Sequence, residues 1–204
     1  MRLPEPKRIT DQSWPEGTVP LVSIFSITYN HVNFIRDAIE GFLMQETTFP
    51  VEIFIHDDAS TDGTAEIVKG YKEKYPKLFR ILLQTENQWS KGNPNGLFFG
   101  LMQERPGEFI AHCEGDDYWT DERKLQKQTT FLLNNPEFVV SGHGARYLNS
   151  AGEFIGEAPP KTCQRDYSSE KLIKVHCWIA TNSMVYRKIQ FCTDEFASAL
   201  HGDN

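Results

Sequence analysis

A chain of 204 residues that is 39% hydrophobic and 24% charged has enough apolar residues to bury a full core and is most simply one soluble globular domain. Its 28 acidic and 21 basic side chains leave a net charge of −7, which excludes the broad basic footprint of a nucleic-acid binder. No stretch is apolar and long enough to span a bilayer, and charges and prolines stand where a signal-peptide core would lie. The chain is therefore expected in the cytoplasm, at most peripheral to the inner face of a membrane. Cys113, Cys163, Cys177 and Cys192 form no C-x-x-C pair, so neither a zinc site nor a disulfide framework is indicated.

Residues 1–20 carry four prolines among charges and read as an extended leader. Leu21 to Thr28 is a near-continuous apolar run, the pattern of a strand covered on both faces. Asn33 to Met44 places Phe34, Ala38 and Phe42 beside Ile35, Ile39 and Leu43, the spacing of a core-facing helix. A strand over Val51 to His56 follows, then a helix with Asp62 as its expected N-cap. The basic residues Lys69, Lys72, Lys74, Lys77 and Arg80, with Glu66 and Glu73 among them, fit its solvated face. Phe79 to Leu83 (strand), Asn95 to Glu104 (helix) and Phe109 to Cys113 (strand) continue the alternation, which implies right-handed crossovers and a mostly parallel sheet. After a helix over Glu122 to Asn134, the pattern changes to short strands at 138–141, 145–148 and 153–155, with a hairpin turn at 149–152, and a further strand over Thr181 to Arg187. The reading is one α/β domain over 21–204. Residues 21–135 are its regular half and 136–204 a smaller mixed half, expected to serve as donor-side and acceptor-side regions respectively.

Two acidic clusters fall at strand ends: Asp57, Asp58 and Asp62 in one, Glu114, Asp116 and Asp117 in the other. Ligands of parallel α/β sheets bind beyond the carboxyl ends of the strands. Carboxylates this crowded repel one another unless a cation or a donor-rich partner offsets them. Together they suggest a metal-dependent site for a phosphorylated ligand. No G-x-G-x-x-G follows the first strand, and no P-loop lysine motif exists. Asp58 to Gly63 imitates the start of an EF-hand loop, but the twelfth position is Lys69, where a bidentate Glu is required.

The ordered set of elements closely resembles family 2 of the inverting glycosyltransferases, with the GT-A fold. Val22-Ser23-Ile24 running into Thr28-Tyr29-Asn30 is similar to that family's first strand and nucleotide loop. Asp57-Asp58-Ala59-Ser60-Thr61-Asp62-Gly63-Thr64 resembles its D-D-x-S-x-D-x-T element. Glu114-Gly115-Asp116-Asp117-Tyr118-Trp119 resembles its D-x-D metal motif, with Glu114 in place of the first Asp, and Lys124-Leu125-Gln126-Lys127-Gln128 is also typical.

The resemblance implies a nucleotide-sugar donor, held by Thr28, Tyr29, Asn30, Asp57, Asp58, Lys91, Glu114 and Asp116. Asp116 and Asp117 would hold a divalent Mn or Mg ion, which neutralises the diphosphate leaving group. Tyr29 would stack on the base, and Asp57 or Asp58 would accept the imide proton of a uracil. Where the family shows a Gly and then an Ala-Arg-Asn run, this chain reads Gln88-Trp89-Ser90-Lys91, leaving Lys91 or no residue to meet the diphosphate. The acceptor would be a hydroxyl of a glycan or lipid-linked sugar. Asp203, within Gly202-Asp203 near the end of the sequence, would be the general base. The chain is expected to be truncated there, before the helix that would fix that base. The competing readings are a silent nucleotide-sugar-binding protein and a sugar nucleotidyltransferase; the latter would be expected to carry a Gly-rich basic loop after the first strand.

Overall fold

The computed structural model describes residues 2–92, 94–159, 166 and 179–188. In chain order its first elements are β1 (Lys7–Arg8), β2 (Val22–Thr28), α1 (Ile35–Leu43), β3 (Glu46–Thr47), β4 (Val51–Asp57), α2 (Thr64–Lys74) and β5 (Phe79–Leu83). There follow α3 (Pro94–Gln103), β6 (Phe109–His112), α4 (Lys124–Asn134), β7 (Val140–Ser141), β8 (Ala145–Leu148), β9 (Phe154–Ala158) and β10 (Val185–Arg187). A six-stranded sheet in the order β5-β4-β2-β6-β10-β7 forms the frame. β5, β4, β2 and β6 run parallel, while β10 is antiparallel to both β6 and β7. This is the mostly parallel α/β sheet that the alternation of strands and helices implies.

The near-continuous apolar strands are explained by two covered faces. On one face Val22, Ile24, Ile53, Ile55 and Phe109 pack under α1, α2 and α4 through Ile35, Ile39, Phe42, Val68, Leu125 and Leu132. On the other, Phe25, Phe54 and Ile110 meet Leu101 and Met102 of α3. All seven residues of β4 are buried, including His56 and Asp57.

Four details differ from the sequence reading. The leader is not merely extended: β1 pairs with β3, and Ile9 is buried in the main core, which ties the segment to the turn after α1. Helix α2 is capped not by Asp62 but by Gly63, whose φ of 102° is a conformation that glycine adopts without strain. α4 begins at Lys124 rather than Glu122. The expected strand over 181–187 is a 3-10 turn at Thr181–Ser183 followed by β10, because Ser183 and Met184 donate back to Ala180 and Thr181 instead of to a neighbouring strand.

The α3-covered face carries His112, whose ring lies 5.9 Å from Phe25 and whose Nε2 is buried without a partner. Burial pushes its pKa down to about 4. An unfolded His binds its proton near 6.5, so this group's contribution to stability is complete above that pH. It is lost progressively as pH falls from about 6.5 to about 4, on the order of 3 kcal/mol in all. In urea titrations across that window, His112→Leu should show a shallower loss of stability than wild type. Parallel pH profiles would contradict the assignment.

Candidate functional site

The carboxyl ends of β2 and β4 are neighbours, with Thr28 in register with Asp57 and the Asp58 amide donating to the Thr28 carbonyl at 2.9 Å. The loops that follow are laced together by side chains. The Asn30 amide donates to Ser60 Oγ at 2.9 Å, and Asn30 Oδ1 accepts from the Thr61 amide at 2.8 Å. Asp62 accepts from the Val32 amide through one oxygen, and from the Thr64 amide and hydroxyl through the other. Asp62 is thus a tie between loops. Asn30 and Ala59 hold positive φ values of 55° and 67°. Strain of this kind persists only where surrounding bonds over-determine the backbone, which these cross-links do.

Asp57 and Asp58 are both buried but differently occupied. Asp57 Oδ1 accepts from the Ser60 amide at 2.9 Å, while Oδ2 is buried with no hydrogen-bond partner. Asp58 spends both oxygens on the loop after β5, accepting from the Gln88 amide at 2.8 Å and the Trp89 amide at 3.0 Å. The same loop places Lys91 in an ion pair with Glu86, and the ammonium holds the Glu86 carboxyl below its usual range.

The second acidic loop leaves β6 and presses on β2. The Gly115 amide donates to the Ile27 carbonyl at 2.9 Å, and a Cβ at this position would lie 2.6 Å from Thr28 Oγ1. Only glycine allows that approach. Beyond it, His31 Nε2 stands 3.8 Å from Asp116 Oδ2. Burial pushes the Glu114 and Asp117 carboxyls up, and the charge of Asp116 adds to both; a contact with the Asn182 side chain opposes this at Asp117.

Trp119 fixes the far end of the loop. Its Nε1 donates to the Asn182 carbonyl at 2.7 Å, its ring meets Phe42 at 4.9 Å, and Lys124 Nζ lies 4.2 Å from its centroid. A Cβ on Gly41 of α1 would lie 2.9 Å from the Trp119 nitrogen. Burial takes Lys124 down to about 7.

Thr28 and Asp57, the last residues of β2 and β4, and Tyr29, Asn30, Asp58, Glu114, Asp116 and Asp117, on the loops that follow β2, β4 and β6, therefore sit together at the carboxyl ends of these strands. Lys91 lies on the neighbouring loop, committed to Glu86, and Asp203 falls outside the described residues. Sequence reasoning missed the positioning parts played by His31, Trp119 and Lys124. Trp119 and Lys124 lay inside motifs it had quoted, but nothing in the string pairs them. Among the described residues no three His, Cys, Asp or Glu side chains form a group able to hold a metal unaided, and no helix is long and apolar enough to cross a membrane.

The family model described as glycosyl transferase family 2 matches residues 23–190. An uncharacterised protein of Mycobacterium tuberculosis is 44% identical over 167 residues, covering 82% of this chain and 47% of the relative. An uncharacterised glycosyltransferase of Nostoc is 31% identical over 82% of this chain and 51% of its own length. The chain thus spans about half the length of these curated relatives. Among solved structures, S. aureus TarS 1-349 superposes with a TM-score of 0.54 at 23% identity, over 81% of this chain and 46% of that one. The mannosyltransferase PcManGT of Pyrobaculum calidifontis, solved with GDP-Man and Mn2+, gives a TM-score of 0.50 at 22% identity, over 65% and 39%. These structural likenesses concern the fold, which is the GT-A arrangement. With most of its length matched, and with the ordered loops its sheet brings together, the chain belongs to glycosyl transferase family 2.

Proposed function

We propose that this chain binds a nucleotide-sugar donor, with uridine as its base, and transfers the sugar with inversion to a hydroxyl of a glycan or lipid-linked acceptor. The observation that carries the reading is the unpaired, buried Oδ2 of Asp57, one strand away from the acidic loop at Thr28. A buried carboxylate oxygen without a donor is costly, and the imide N–H of a uracil is a donor of the right kind. Asp57 is thereby assigned to the base, and Asp58, whose oxygens are already filled, to holding the adjacent loop. Tyr29, 43% exposed, stacks on the base, and Thr28 and Asn30 line the nucleoside.

The acidic loop fits a divalent cation. Glu114 and Asp117 are pushed towards their neutral forms by burial and by Asp116, a repulsion that a divalent ion relieves. Mg2+ and Mn2+ sites in such enzymes use one or two carboxylates and take the remaining oxygens from substrate phosphates and water. Asp116 and Asp117 would hold the ion, and Glu114 would reach the ribose or a bound water. When bound, the cation neutralises charge on the departing diphosphate. Of the two structural relatives, PcManGT was solved with GDP-Man and Mn2+, and TarS also with UDP-GlcNAc. The acceptor oxygen attacks the anomeric carbon as Asp203 takes its proton, and the carbon–oxygen bond to the diphosphate breaks on the opposite face.

Asp57→Ala should weaken UDP binding about ten- to a hundredfold, the loss of a charge-assisted hydrogen bond of roughly 1.5–3 kcal/mol. Asp58→Ala, which orphans two amides, should instead lower unfolding free energy by about 2 kcal/mol. Calorimetry and urea denaturation read the two effects, and the reverse pattern would exchange the roles. Release of free nucleoside diphosphate from a nucleotide sugar, with a hydroxyl acceptor present, tests the activity itself. Asp116→Asn should abolish that release without changing the melting temperature, and full turnover in this variant, or in excess chelator, rules the cation role out.

A further inference from the structure

The acidic loop after β6 is met by a turn from far along the chain. β10 runs antiparallel to β6, with Val185 in register with Ala111 and the His112 amide donating to the Met184 carbonyl at 3.2 Å. An antiparallel partner brings its own start to the other strand's end. The turn at Thr181–Ser183 therefore stands beside the residues that leave β6. That turn is braced from within and from α4. Ser183 Oγ donates to the Ala180 carbonyl at 2.7 Å, and the Ser183 carbonyl accepts from Gln128 Nε2 at 2.9 Å.

Asn182, the middle residue of the turn, meets the acidic loop twice. Its main-chain carbonyl accepts from Trp119 Nε1 at 2.7 Å, and its side chain hydrogen-bonds the Asp117 carboxyl. An ionised carboxylate only accepts, so the group that Asn182 turns towards it is the Nδ2 amide. The other end of the carboxamide is left with nothing, for Oδ1 is buried and has no partner. A buried amide oxygen without a donor is costly. Side-chain amides that only fill space settle where both ends are bonded. This one forgoes a bond to its oxygen and keeps its donor on Asp117.

The backbone of Asp117 is fixed within the loop, its amide donating to the Glu114 carbonyl at 3.2 Å and its carbonyl accepting from Cys113 Sγ at 3.7 Å. Those bonds do not set the direction of the carboxyl, and the like charge of Asp116 works against it. The Asn182 amide does set it. Carboxylates that hold a metal are themselves hydrogen-bonded, and the outer partner orients them.

We propose that Asn182 is a positioning residue for the cation site, its Nδ2 amide aiming the Asp117 carboxyl at the divalent ion. The Trp119 indole, bonded to the Asn182 carbonyl, fixes the place from which that amide acts. The inference rests on the cation reading above and extends it to the smaller half of the domain. The carboxylates lie before residue 135, and a side chain of the half expected to face the acceptor completes their arrangement.

The test is Mn2+ affinity with UDP present, by electron paramagnetic resonance, on wild type, Asn182→Ala and Asn182→Leu. Leucine keeps the volume of the side chain and drops its donor. Both variants should bind Mn2+ about ten- to a hundredfold more weakly, the usual cost of losing such a partner. Asn182→Leu should keep the wild-type melting temperature. The ion that still binds should carry more water, read by proton relaxation, because solvent replaces a carboxylate that swings away. Wild-type affinity in either variant leaves the amide without a role and overturns the proposal. So does weaker binding with the water count of wild type, since the ion's ligands are then unchanged and Asn182 only packs the loop. A wild type that binds no Mn2+ beside UDP overturns the cation reading and this inference with it.

Discussion

The indole of Trp119 holds the acidic loop in place. One nitrogen hydrogen bond ties it to Asn182 on the turn before β10, Lys124 Nζ of α4 lies over its ring, and Phe42 of α1 meets it edge to face. The backbone beneath is pressed so closely against α1 that only glycine fits at position 41. Three elements far apart in sequence thus converge on one side chain, seven residues beyond the end of β6. Cation–aromatic and aromatic contacts of this kind each contribute about 1 kcal/mol beyond area burial. They are spent on orienting a loop whose own carboxylates would push it apart. Without that clamp, Glu114, Asp116 and Asp117 would relax away from one another.

A second set of ties holds the loops after β2 and β4. Asn30, Ser60, Thr61 and Asp62 exchange hydrogen bonds between the loops after β2 and β4, and Asp58 extends the lattice to the loop after β5. The strain at Asn30 and Ala59 is carried by these bonds. A site built this way is largely formed before ligand arrives, which reduces the ordering cost of binding. Within it Asp57 Oδ2 stands apart as an acceptor that the fold leaves unpaired. Gly115 joins the two sets, since its approach to Thr28 brings the acidic loop against the end of β2.

Much of this could be read from the residues, and the reasons are physical. β2 and β4 are buried on both faces, and that burial leaves apolar runs unmistakable in the string. The acidic clusters announced themselves because like charges are rarely placed together without cause. What could not be read were partnerships over long separations. Asp57 and Asp58 are identical neighbours, and only the amides of Gln88 and Trp89, thirty residues on, distinguish them. The pairing of Lys91 with Glu86, five residues back on the same loop, is likewise invisible in the string. The turn at Thr181–Ser183 passed as strand because its hydrogen bonds run back along the chain, while its β-branched and small residues suit either form. The leader's prolines hid Ile9, one buried side chain that anchors the segment.

The central claim is that the two carboxylate loops make one site, in which cation and nucleoside diphosphate bind together. Mn2+ affinity measured by electron paramagnetic resonance, with and without UDP, addresses it directly. Linkage requires that each ligand tighten the other by the same factor. The account predicts Mn2+ binding at least about tenfold tighter in the presence of UDP, with the same gain for UDP in the presence of Mn2+, a coupling of roughly 1.4 kcal/mol or more. Equal Mn2+ affinities with and without UDP would contradict it.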